Sequence, residues 1–211
     1  ISDAFNAADQ IEFTGGKKNT INFEFIKGRL KARYASSSSQ ISIRYFQKLY
    51  ENAATNENKY AYISALMVNG LHDEALSILE ELLSKYPKNL ILNITKSEIY
   101  LRSQNVELAE RQIEKVLNVS PGNYPASIMK SKILSAKKES IKAEEILRDL
   151  LIIKNRDPNL WLQLSETQRS GKNIAGYHLS RGEYYALLGD FENALNQFQF
   201  ALRLSGNSFQ M

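Results

Sequence analysis

The chain has 211 residues, 43% of them hydrophobic and 24% charged, the composition of a packed globular protein rather than a disordered one. Its 27 basic and 23 acidic residues are interleaved to a net charge of +4, too balanced for the one-sided field of a nucleic-acid binder. With no cysteine, disulfides and thiolate metal sites are excluded, and no stretch stays apolar for the length of a membrane span.

Residues 1–19 read as a tail and linker. Ile1, Phe5, Ala8 and Phe13 suggest a short helix or the end of an upstream domain, and Thr14-Gly15-Gly16-Lys17-Lys18-Asn19 has linker composition. The start at Ile1, without Met or a leader pattern, predicts a piece of a longer or processed protein. Thr20–Tyr34 and Ser39–Ala54 read as amphipathic helices around a polar Ser36–Ser39 loop. Phe23, Ile26 and Leu30 are expected to face Ile43, Phe46, Leu49 and Tyr50, making residues 20–55 a degenerate helix pair.

From Asn56 onward the chain repeats. Ala75, Ala109 and Ala143 are 34 residues apart, followed four residues on by Leu79, Ile113 and Leu147, and three further by Leu82, Val116 and Leu150. A 34-residue period of this kind is the tetratricopeptide (TPR) signature, one helix hairpin per repeat. The alanines must be small because the two helices of a pair cross closest there. The predicted units are 56–89, 90–123, 124–157 and 158–211. Asn69-Gly70 ends the first helix of the first unit in a left-handed residue, and Pro87 and Pro121 stop second helices. Pro158 lies 15 residues after its alanine instead of 12, which suggests a short insertion around Ile152–Arg156. The last unit reads as three helices, Pro158–Ser170, Asn173–Leu188 and Phe191–Ser205, with the middle one closing one pair and opening the next. Tyr100, Tyr185, Phe191 and Phe198 are expected in the core. The predicted fold is all-α, a TPR-like solenoid of stacked antiparallel helix pairs.

Catalytic motifs are not matched. His72 and His178 stand 106 residues apart, neither in an H-E-x-x-H context, and both read as structural or exposed. Gly15-Gly16-Lys17-Lys18 does not fit a phosphate loop, and no serine lies in G-x-S-x-G. Glu80-Glu81 and Glu144-Glu145 read as solvated helix faces. Lys130, Lys132, Lys137, Lys138 and Lys142 read as a solvated face or, more sharply, as a basic patch for an acidic partner. The repeat frame points Tyr60, Ser64, Met67, Glu98, Arg102 and Lys132 into the concave face lined by first helices. Those six are the candidate protein-binding residues, with Tyr60 as an aromatic anchor. No catalytic, metal or cofactor residue is expected.

Asp157-Pro158-Asn159-Leu160-Trp161-Leu162-Gln163-Leu164-Ser165-Glu166 and His178-Leu179-Ser180-Arg181-Gly182-Glu183-Tyr184-Tyr185-Ala186-Leu187-Leu188-Gly189 resemble the C-terminal TPR region of bacterial periplasmic zinc metalloproteases of the BepA type (beta-barrel assembly-enhancing). Gly189–Phe198 continues the likeness, and Phe23–Tyr34 is similar to the segment that follows the protease domain there. Gly182 departs from that pattern, which usually has alanine; either residue is expected to suit a tight helix contact. The resemblance implies the non-catalytic C-terminal part of such a protease, with residues 1–19 trailing from its missing catalytic domain, where the zinc would be. It also implies a periplasmic location, and as partners outer-membrane barrel clients, their assembly machinery, or its own protease domain. The alternatives are a stand-alone TPR adaptor for a chaperone or secretion complex, and an enzyme with an unrecognised site in the groove.

Overall fold

The computed structural model describes residues 20–35 and 39–207; the reading of residues 1–19 lies outside them. Eleven helices and no strand occur among the described residues. They are α1 (Ile21–Ala35), α2 (Ser39–Asn52), α3 (Asn56–Val68), α4 (His72–Lys85), α5 (Leu90–Arg102), α6 (Val106–Val119), α7 (Tyr124–Ala136), α8 (Ser140–Ile153), α9 (Pro158–Ser170), α10 (Ile174–Leu187) and α11 (Phe191–Asn207). The fold is all-α and TPR-like, and the chain divides into two compact units, one ending at Asn105 and one beginning at Val106.

The 34-residue period is written most plainly in the backbone. Thr55, Asn89, Asn123 and Asp157 each cap the N-terminus of a first helix, their side-chain oxygens accepting from the amides of Asn58, Leu92, Ala126 and Asn159 at 2.9–3.2 Å. Such caps satisfy amides that have no partner within the helix. The first helices end with equal regularity. The amides of Leu71, Asn105, Glu139 and Asn173 reach back to the carbonyls of Leu66, Tyr100, Leu134 and Gln168 at 2.8–3.0 Å. Each of these turns needs one left-handed residue. It is Gly70 in the first hairpin, but Gln104, Lys138 and Lys172 in the next three, at φ of 60–64°.

Ala75, Ala109 and Ala143 are fully buried, as are Leu79, Ile113 and Leu147 one turn on. The expected insertion near Ile152–Arg156 is absent. α8 has 14 residues, as do α4 and α6, and the links Tyr86–Asn89, Ser120–Asn123 and Lys154–Asp157 all have four. Pro158 is the first residue of α9 rather than a stop after α8, a position where its missing amide costs nothing.

In the first unit, α3 is enclosed on every side beyond its first turn. Tyr60 through Met67 are all buried, because α1, α2 and α4 pack around it. This differs from the expected α1/α2 pair. α1 packs chiefly on α3, burying Phe25, Gly28 and Ala32, while Phe23, Ile26 and Leu30 remain about half exposed. The cause is close approach. A Cβ on Gly28 would lie 2.4 Å from the Glu57 carbonyl oxygen and 3.0 Å from the Ala61 nitrogen. Only small residues let two helix backbones come that near.

In the second unit, α6 to α11 pack each on the next. Leu147, Leu151, Leu160 and Leu164 form a core under Tyr124, Ile128, Leu150 and Trp161. A polar bridge crosses three helices: Gln168 donates to Glu144 at 3.0 Å and accepts from the Ser180 hydroxyl at 2.7 Å. Glu144 is therefore half-buried rather than a freely solvated face. Gly182 lies under the Phe198 ring. Phe191, expected in the core, is 72% exposed at the start of α11, the last described helix, with no described helix after it to cover the ring.

Candidate protein-binding groove

The first-helix face of the first unit carries five of the six candidate residues, and α1 lies across it. Phe25 packs on Tyr60 at 5.3 Å between ring centroids and edge-on to Tyr86 at 6.1 Å. Lys31 and Lys27 reach Glu57 at 2.5 and 3.4 Å. Asn56 donates to Glu24 at 2.9 Å, and Asn89 to Asn22 at 2.7 Å. Arg29 donates to the Glu98 carboxylate on α5.

Tyr60 is wholly buried beneath this helix, its hydroxyl bonded to that of Thr95. Burial drives the phenol's pKa up, only partly opposed by the Arg29 charge and the bond to Thr95. Ser64 is buried with its hydroxyl donating to the Tyr60 carbonyl at 2.8 Å, and Met67 belongs to the core. Glu98 sits at the centre of a charge cluster. Burial alone would raise its carboxyl, but Arg29 and Arg102 outweigh that and hold it below the ordinary glutamate value. Arg102 grips it with Nε and Nη2 at 3.1 and 3.0 Å while staying exposed itself. Lys132 occupies the equivalent repeat position on α7 of the second unit, where it is exposed.

Two other lysines of the predicted basic patch, Lys130 and Lys137, are matched by acids from α6. Lys130 pairs with Glu110 and Glu114 at 2.8 and 2.9 Å, and Lys137 with Glu110 at 2.7 Å. Glu139 takes Lys142 at 2.6 Å. These ion pairs favour the solvated-face reading over an open basic surface. Glu110 and Glu114 lie 16 to 27 residues upstream of their lysines, a separation at which the local charge pattern does not show the pairing.

His178 is part of the α10–α11 packing, bonded through Nδ1 to Gln197 at 2.8 Å and stacked on Phe200. Among the described residues no group of three His, Cys, Asp or Glu side chains could hold a metal ion. No described helix is long and apolar enough to cross a membrane.

No family profile matches the chain, and no curated relative does. Solved structures do. A TPR protein from Thermus thermophilus superposes with a TM-score of 0.68 at 17% identity, covering 87% of this chain and 99% of that one. A tetratricopeptide repeat protein from Parabacteroides merdae gives 0.56 at 17% identity, covering 95% and 84%. The chain shares the fold of these TPR proteins.

Proposed function

We propose that the chain is a protein-binding TPR module whose first-helix face in the first unit is its recognition surface. The observation that carries this reading is the seating of α1. The α3–α5 face already holds a basic helix through the Phe25 ring, one close backbone approach and flanking ion pairs, contacts of the kind made when a helix lies in a groove. The TPR fold supports it, since stacked helix pairs present extended surfaces to other proteins.

The narrower reading is that of the C-terminal part of a BepA-type zinc metalloprotease, working in the periplasm on outer-membrane protein assembly and quality control. Its support is the resemblance in Asp157–Glu166 and His178–Gly189. Calorimetric titration of the purified chain with a BepA-type protease domain, and separately with the soluble domains of the barrel-assembly machinery, tests it. Saturable binding to either is expected. Binding to neither would leave the adaptor reading in its place.

A further inference from the structure

We propose that α1 is a displaceable in-chain ligand, and that the α3–α5 face takes a partner of the same chemistry: a basic helix with an aromatic residue, a glycine three positions on and an arginine beside it. This rests on the reading of that face as a recognition surface and names what it recognises.

Three features describe how α1 is held. First, its buried stripe is slight. Phe25, Gly28 and Ala32 at i, i+3 and i+7 are its only fully buried residues with described side chains, so Phe25 is the one large side chain wholly enclosed, with Ile21 partly buried against the same core. Second, the remaining ties are polar and part-exposed. Lys27 and Lys31 go to Glu57, and Arg29, itself 45% exposed, goes to Glu98. Part-exposed ion pairs fix register and selectivity more than they add affinity. Third, α1 scarcely touches α2, the helix that follows it, and packs instead on α3. The receiving face is assembled without it, since α3 also packs against α2 and α4, and α5 against α4.

The chemistry of the site selects the occupant. Glu57 and Glu98 flank the contact line and demand basic residues on both edges of an incoming helix. The Glu57 carbonyl and the Ala61 amide stand where a Cβ would be, so they demand glycine at the crossing point. Tyr60 and Tyr86 offer rings to an aromatic residue one turn before. An acidic helix, or one with a bulky residue at the crossing, is rejected.

The test uses full-length chains and a fluorescein-labelled peptide of Ile21–Ala35, read by anisotropy. In the wild type the tethered α1 competes at an effective concentration in the millimolar range, so added peptide binds weakly. Gly28→Leu in the chain should expel α1 and tighten peptide binding by about tenfold or more. Arg29→Glu, a half-exposed site, should do the same to a lesser degree and serves where Gly28→Leu does not fold. A peptide carrying Gly28→Leu should not bind. A peptide carrying Arg29→Glu should bind only when Glu98→Arg is added to the Gly28→Leu chain. No saturable binding by either variant chain, equal binding of the Gly28→Leu peptide, or loss of cooperative unfolding in both variants would make α1 an integral core helix and overturn the proposal. Because the probe is the chain's own helix, this outcome is independent of whether any protease domain or assembly factor binds.

Discussion

Gly182 of α10 and Phe198 of α11 share one space: a Cβ on residue 182 would stand 2.4 Å from Cε1 of the ring. Glycine and alanine are therefore not interchangeable there, contrary to what a tight helix contact alone suggests. Gly182→Ala should destabilise the second unit by about 1–3 kcal/mol, the usual cost of overpacking. Denaturant unfolding of Gly182→Ala, Phe198→Leu and the double variant would show the penalty shrinking when the ring is gone.

The left-handed turns make the opposite prediction. A non-glycine residue there costs about 1–2 kcal/mol, against roughly 0.5–1 kcal/mol of extra unfolded-state entropy for glycine. Gln104→Gly, Lys138→Gly and Lys172→Gly should each raise stability by about 0.5 kcal/mol, read as a shifted denaturation midpoint. Gly70→Ala should lower it, since Gly70 sits at φ 76° in the same turn.

Removing a helix cap should be costly wherever it recurs. Asn89→Ala and Asn123→Ala each strip the acceptor from a first-helix amide. A loss of about 1 kcal/mol apiece is expected in thermal or chemical unfolding. Asn123→Asp should be near neutral, because the carboxylate keeps the acceptor and favours the helix N-terminus, whereas Asn89→Asp also loses the donor to Asn22.

Glu98 predicts a pH dependence. Its folded pKa lies below its unfolded value, so its contribution is complete above the ordinary glutamate pKa and is lost as pH falls through the depressed folded one. With Arg29 and Arg102 both exposed, the effect is modest, on the order of 1 kcal/mol or less. Stability measured from neutral pH down through pH 4.5 and below should fall less steeply in Arg29→Gln than in the wild type. Identical slopes would show that the pair carries no linkage.

The helix hairpins were readable because small and apolar residues repeat in identity: Ala75, Ala109 and Ala143 are alike, and all are buried. The caps were not, although they keep the same period, because Thr55, Asn89, Asn123 and Asp157 share a hydrogen-bonding role rather than a residue type. Pro158 misled for a related reason: proline suits a helix start as well as a stop. The orientation of α1 is not legible in the sequence because periodicity favours the larger stripe of Phe23, Ile26 and Leu30. A close helix crossing rewards the smaller one, and only the position of α3 shows which applies. Tyr60, read as a groove anchor, does face α1, but as part of a sealed contact.

The recurrence of equivalent caps and turns means that no repeat boundary is special to the backbone. Splicing out residues 124–157 would join Asn123 to Pro158, a cap to the first residue of a helix, as Asp157 now does. Chain length in such an architecture is a free variable. Modules could be gained or dropped whole, and surface identity would change while the scaffold's local geometry stayed constant.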